Sequence, residues 1–195
     1  VRTIKRCFLD PKLIICFREP SSFILSSYKQ YIHEGGTKCF KDFFSIHHKK
    51  IVTPRDLYFS KYIEILNDEL PKENIFIYNY ETFRSDKEKV LTELLEFIGV
   101  GNIENLDLSK TKKGNPSIPF IYEPILRNLN SIDSFLRTNF NFGLKLILFG
   151  KVLSPRVFCQ YVLPAIYRPK KERQLTEIKK YFSSDWEIAK KNFHL

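Results

Sequence analysis

Methionine is absent from all 195 residues, glycine occurs only seven times and cysteine only four times. Seven glycines set against eighteen phenylalanines and ten tyrosines exclude a linker-rich or disordered chain, because aromatic side chains supply the burial that offsets the entropy of ordering. The cysteines, Cys7, Cys16, Cys39 and Cys159, form no Cys-x-x-Cys pair and no metal-ligand spacing, so neither a zinc site nor another metal site is expected. Cys16 sits within an apolar run, where a buried thiol is ordinary. The four read as reduced thiols, which points to the cytoplasm. No apolar stretch reaches the roughly 18 residues that span a bilayer, and the first residues lack the apolar core of a signal peptide. No Met stands at position 1, and Val1-Arg2-Thr3 opens directly into helical periodicity, so residues are expected before Val1.

What is present fits a folded protein. With 43% hydrophobic and 15% aromatic residues, the chain can bury one sizeable core and a small appended helical region. A formal net charge of +10 draws anions toward its surface: nucleotides, sulfated or phosphorylated ligands, acidic glycans, nucleic acid or anionic lipid. Lys and Arg are scattered and no DNA- or RNA-binding signature occurs, so nucleic acid is not expected as a partner.

Ile4, Phe8 and Leu9 suggest the end of an amphipathic helix stopped by Asp10-Pro11. Lys12 to Phe17 is a nearly continuous apolar run, as a parallel strand covered on both faces requires. Pro20 opens a helix with Phe23, Ile24, Tyr28, Tyr31 and Ile32 at spacings of three and four, ending at Gly35-Gly36. Phe40, Phe43 and Phe44 suggest a short helix. Pro54 opens another, with Leu57, Tyr58, Tyr62, Ile65 and Leu66 on one face, ending near Pro71. Asn74 to Tyr78 is a second apolar strand. It leads through Tyr80-Glu81 into a helix that buries Val90, Leu91, Leu94, Leu95 and Ile98 and closes at Gly99. Strands alternating with helices imply a parallel α/β sheet. After a polar loop from Ser109 to Pro119, helical segments are expected from about 122 to 148 and from 170 to 192.

The chemistry concentrates in Arg18-Glu19-Pro20 and the helix behind it, which places Arg18 at a strand end and Ser26 two turns into the next helix. A terminal phosphate needs a cation and hydroxyl donors on separate rigid elements, and the carboxyl edge of a parallel sheet beside a helix N-terminus is where open α/β folds bind such groups. The plainer alternative is that Arg18 pairs with a carboxylate, Pro20 merely starts the helix and Ser26 is a surface residue.

Arg18, Ser26 and Tyr28 also resemble, position by position, a motif of sulfotransferases that use 3′-phosphoadenosine 5′-phosphosulfate: an Arg-x-Pro-like turn after a parallel strand, a serine eight residues beyond the arginine, and an aromatic soon after. Phe76-Ile77-Tyr78-Asn79-Tyr80-Glu81-Thr82-Phe83 is similar to that family's apolar strand followed by Tyr-Glu-Asp-Leu, and Phe97-Ile98-Gly99 supplies the family's Phe-Leu-Gly helix ending. The resemblance spans roughly residues 1 to 117. It implies that Arg18 and Ser26 contact the 3′-phosphate and that Tyr80 lies near the adenine. Glu81 reads as a helix-starting acid. Lys112-Lys113-Gly114 resembles the basic Lys-Gly element that closes over the 3′-phosphate, although the longer Gly-x-x-Gly-Asp-Trp-Lys continuation is absent and a solvated basic loop is the competing reading.

The family's Gly-rich lysine loop for the 5′-phosphosulfate is not found in these residues, and no catalytic base can be named. His33, His47 and His48 read as ordinary surface histidines. The expected architecture is an α/β parallel sheet flanked by helices, a three-layer sandwich like that of P-loop nucleotide transferases. A nucleotide-binding core is expected over 1–117, with a helical extension over 118–195 packed on the same domain. The expected function is sulfuryl transfer from 3′-phosphoadenosine 5′-phosphosulfate to a hydroxyl or amine of a small-molecule or glycan acceptor. The alternative is a non-catalytic module of related fold that binds an adenine nucleotide or an acidic partner.

Overall fold

The structure, a computed structural model, describes residues 1–100, 123–148, 151–153 and 172–193. Helix α1 (Arg2–Cys7), strand β1 (Leu13–Phe17), α2 (Pro20–His33) and α3 (Phe40–Phe43) are followed by a 3-10 turn at Pro54–Leu57 and by α4 (Phe59–Glu69). Then come β2 (Ile75–Asn79), α5 (Tyr80–Ser85), α6 (Lys87–Ile98), α7 (Glu123–Phe140), β3 (Leu146–Leu148), β4 (Lys151–Leu153), α8 (Glu172–Tyr181) and α9 (Ser183–Lys190). Chain contacts divide it into two compact units: Val1–Phe23, Pro54–Lys112 and Thr176–Leu195 form the first, Ile24–Thr53 and Lys113–Leu175 the second.

In the first unit the two apolar runs pair as parallel strands, from Leu13 opposite Ile75 to Phe17 opposite Asn79. Among the described residues this sheet has two strands, with helices against both faces. Successive side chains of a strand alternate between faces. Phe17 accordingly stacks on Phe59 of α4 at 4.8 Å, and Phe59 meets Trp186 of α9 edge-on at 6.0 Å. On the opposite face Phe76 meets Phe97 of α6 at 5.4 Å and Tyr78 meets Phe83 of α5 at 5.8 Å. The backbone N–H and hydroxyl of Ser60 both donate to Asp185, fixing α9 on the start of α4.

Several expectations for this unit change. Helix α1 ends at Cys7 and buries nothing, leaving Phe8 and Leu9 exposed. Pro54 opens only the 3-10 turn, and α4 begins at Phe59. That shift in phase makes Phe59, Ile63 and Leu66 its inner face and turns Tyr62 and Ile65 outward. The helix after Tyr80 breaks at Asp86, whose carboxylate caps α6 through Lys89 N–H at 3.1 Å. In α6 only Val90 is fully buried and Ile98 is exposed, although Gly99 closes the helix in the left-handed region at φ 78° as expected. Strand β1 is less covered than its apolar run implies: Ile14 is 47% exposed and Cys16 is exposed too, because the rings of α5 and α6 lie over Phe76 and Tyr78 of β2.

In the second unit the Tyr28 ring is fully buried against Phe40 and Phe43, with centroids at 5.2 and 5.3 Å. Its hydroxyl donates to Glu123 Oε1 of α7 at 2.5 Å, and Arg127 Nη1 reaches the same oxygen at 3.2 Å. Asn130 Nδ2 donates to the carbonyls of Ile32 at 2.8 Å and Gly36 at 3.0 Å. The end of a helix leaves its last carbonyls short of donors; the Ile32 carbonyl also accepts from Gly35 N–H at 3.2 Å, and Asn130 adds a second donor there and one to Gly36. Gly36 is needed where it stands, since a Cβ there would lie 2.4 Å from the Tyr31 ring. The segment expected to be helical to about 148 stops at Phe140. Asn141 turns left-handed at φ 58°, and Leu146–Leu148 then pairs antiparallel with Lys151–Leu153.

Candidate functional site

Because the parallel strands end in register, with Phe17 opposite Asn79, the next residue of each, Arg18 and Tyr80, emerges at the same carboxyl edge. The Arg18 guanidinium carbon lies 4.4 Å from the centroid of the Tyr80 ring. Such a cation–π contact is worth about 0.5–2 kcal/mol and fixes the plane of the guanidinium. The chain turns from strand into helix at once because Asn79 caps α5, its Oδ1 accepting from Glu81 N–H at 2.6 Å and Thr82 N–H at 3.4 Å.

Glu81 Oε1 stands 3.9 Å from Arg18 Nε, beyond hydrogen-bonding distance. That Nε is buried and has no hydrogen-bond acceptor among the described residues. A buried donor without an acceptor costs about 1–3 kcal/mol. The arginine is thus held by its flat face, with its Nε donor unsatisfied, which suits an anion with several acceptor oxygens.

The start of α2 is arranged otherwise. The Glu19 carboxylate accepts from Ser21 N–H at 3.2 Å, Ser22 N–H at 3.1 Å and the Ser21 hydroxyl at 2.5 Å. The leading amides of α2, which the sequence offered as an anion cradle, are therefore committed to Glu19. Glu19 N–H in turn donates to Glu81 Oε2 at 3.4 Å, which ties the start of the α2 turn to the carboxylate beside Arg18. Beneath Arg18, partial burial pushes the Cys16 thiol up, opposed by a hydrogen bond with the Tyr78 phenol, whose own value is likewise raised by desolvation.

Of the residues singled out from the sequence, Arg18 and Tyr80 are brought into contact. Ser26 is exposed on α2 and belongs to the second unit. Lys112, Lys113 and Gly114 lie outside the described residues. His47 and His48 are exposed, with rings 6.5 Å apart, and His33 is half-buried at the end of α2. Among the described residues no cluster of His, Cys, Asp and Glu could hold a metal ion, and no helix is long and apolar enough to cross a membrane. The plainer reading is met in part: Pro20 starts the helix, Ser26 faces solvent and a carboxylate stands near Arg18. That carboxylate, Glu81, forms an ion pair with Arg18 at 3.9 Å but does not hydrogen-bond its Nε. Glu19 and Asn79 escaped attention as capping residues. An Asn between an apolar run and the Tyr80-Glu81-Thr82 helix start is a legible signal, whereas Glu19 gives little, because Glu is not a favoured cap.

A family model described as the sulfotransferase domain matches residues 3–120, more than half of the chain. No curated protein and no solved structure matches it.

Proposed function

The chain belongs to the sulfotransferase family, and from that premise we propose that it takes 3′-phosphoadenosine 5′-phosphosulfate as sulfuryl donor, with Arg18 as the ligand of the 3′-phosphate. One observation carries this reading: a guanidinium stacked on Tyr80 at the carboxyl edge of the parallel strands, its Nε buried and without an acceptor.

A phosphate dianion offers the acceptor oxygens that Arg18 lacks, and charge-assisted bonds of this kind are roughly twice as strong as neutral ones. Arg18 occupies one face of Tyr80, which leaves the other face or the ring edge for the adenine. Ser26, and the basic run Lys112-Lys113-Gly114 outside the described residues, are the further ligands that the family resemblance offers for that phosphate. Glu81 stands where it competes for Arg18, so nucleotide binding displaces its carboxylate or works against it. The transferred group passes to a hydroxyl or amine of a small molecule or glycan, and the unpaired thiols of Cys7 and Cys39 fit a cytoplasmic setting.

The test is transfer of labelled sulfur from the donor nucleotide to a panel of sugars, phenols and amines. Acceptor-dependent label that falls at least tenfold in Arg18→Ala is the expected result. Tight nucleotide binding with no transfer to any acceptor would replace the enzyme by the non-catalytic binding module.

A further inference from the structure

Helix α7 of the second unit buries Leu126 and Asn130 and leaves an apolar stripe on its other side uncovered. Ile125, Ile132 and Phe135, at spacings of seven and three, are 45–59% exposed, and so are Phe140, which ends the helix, and Phe142 just beyond it. The Phe135 and Phe140 rings stand 6.1 Å apart, and those of Phe140 and Phe142 5.9 Å, so the three form one exposed cluster. Polar ties hold the cluster in place. Asn139 Nδ2 donates to the Phe135 carbonyl at 2.8 Å and Leu144 N–H to Asp133 Oδ1 at 2.5 Å. Gly143 lies so close to Arg137 that a Cβ there would stand 2.5 Å from Nη2. Rings fixed in contact with water by such ties mark an interaction surface.

The charge pattern indicates what that surface meets. The ionised side chains of α7 are spent within the helix: Arg127 pairs with Glu123 at 3.2 Å and Arg137 with Asp133 at 2.7 Å. Around the stripe the exposed positions are Asn128, Ser131, Ser134, Thr138 and Asn139, all uncharged, and Lys145 is the one further charge in residues 123–148. An anionic membrane is drawn by many Lys and Arg flanking an apolar face, which this face lacks. An acidic protein would be drawn to the rest of a surface whose net charge is +10. A second copy carries the same +10 and is repelled by most of that surface, so the near-neutral α7 is where it can approach. Interface cores are depleted of charge and enriched in aromatic rings, as this face is. We propose that α7 is the contact face between two copies of this chain related by a twofold axis. In such a pair each contact occurs twice, and antiparallel helices bring the phenylalanine cluster of one copy over Ile125 of the other. Ile132 stands at the middle of this 18-residue helix, about 27 Å long, and so meets its own counterpart.

The experiment is analytical ultracentrifugation of the full chain over a range of concentrations. Wild type is compared with Phe135→Glu, Ile132→Lys and Ile132→Glu, and with Ile65→Glu as a control at an exposed position of α4. Wild type should dimerise. Phe135→Glu and either Ile132 variant should raise the dimer dissociation constant about tenfold or more, with an unchanged circular dichroism spectrum, whereas Ile65→Glu should leave it unaltered. Mixing Ile132→Lys with Ile132→Glu should restore association, because opposite charges then meet at the axis, and that recovery separates a broken contact from a misfolded chain. A wild type that is monomeric at every concentration, a dimer indifferent to Phe135→Glu and Ile132→Lys, or Ile132 variants that stay apart when mixed would overturn the proposal. So would a monomeric chain that sediments with vesicles of anionic phospholipid and loses them with Phe135→Glu, since the face would then belong to a membrane.

Discussion

The interior of the first unit is built from rings and aliphatic chains: Phe17, Phe59 and Trp186 on one face of the sheet, Phe76 and Phe97 on the other. In the second unit the fully buried Tyr28 points its hydroxyl at a carboxylate, and the buried Asn130 spans two backbone carbonyls. The difference is one of degree, since the first unit also buries the Asn74 carboxamide against Asp10 and the second also packs Phe40 and Phe43 around the Tyr28 ring. Apolar packing is non-directional and loses energy in proportion to the volume removed. Buried polar ties are directional, and losing one partner leaves the other desolvated and unsatisfied. The first unit should therefore respond to the size of a substitution and the second to its hydrogen-bonding character.

The largest effect is expected at Phe76, 2% exposed. Phe76→Ala should cost about 3–5 kcal/mol, and Phe76→Leu much less, in denaturant unfolding. An alanine variant of near wild-type stability would show that the sheet face is not the core it is taken for. Next is Asn130→Leu, close in size, which strands the Gly36 carbonyl, takes one of two donors from the Ile32 carbonyl and should cost about 1–3 kcal/mol. If Leu instead stabilises the protein, burial outweighs the polar tie and the contrast between the units fails.

Tyr28 sharpens the contrast through pH. Its phenol is held above its ordinary value of 10.0, first by burial and then by the Glu123 carboxylate. The folded state thus keeps a proton that the unfolded chain gives up above about pH 10, so this group's share of stability is full below that pH and is lost as pH rises beyond it. Tyr28→Phe should cost about 1 kcal/mol near neutrality and should lose less stability than wild type between about pH 9 and about pH 11. Parallel alkaline profiles for the two proteins would remove Tyr28 from the account. The smallest change in stability, under about 0.5 kcal/mol, is expected for the exposed Glu81→Gln. The same substitution should tighten nucleotide 3′-phosphate binding by a factor of about 3–10, since one negative charge leaves the edge of the site. Weaker binding would mean that Glu81 positions Arg18 and does not compete for the ligand.

The sequence made the frame of the first unit legible because its signals are local: two short apolar runs, Pro20 at a helix start, Gly99 at a helix end. Phase was less legible. Tyr62 and Ile65 were placed inward by counting from Pro54, and a single turn of 3-10 helix rotated them outward. The strand pair after Phe140 was hidden because Leu146 to Leu148 suits a helix as well as a strand, and Asn141 in the left-handed region decides the matter. At the site, Arg18 was readable from its place at a strand end and Tyr80 only through the family resemblance, whereas their stacking depends on strand register. The Glu19 cap and the nearness of Glu81 depend on backbone geometry that no spacing encodes. The ties of Glu123 and Asn130 join residues 95 and 98 positions apart in sequence, beyond any local pattern.

The central claim is that the carboxyl edge holding Arg18 and Tyr80 reads a 3′-phosphate, and calorimetric titration tests it most directly. Wild type and Arg18→Ala are each titrated with 3′-phosphoadenosine 5′-phosphate and with adenosine 5′-phosphate. The account predicts that wild type prefers the 3′-phosphorylated nucleotide by at least tenfold and that Arg18→Ala abolishes the preference while keeping the fold. Equal affinity of wild type for the two nucleotides, or a preference that survives loss of Arg18, would contradict it.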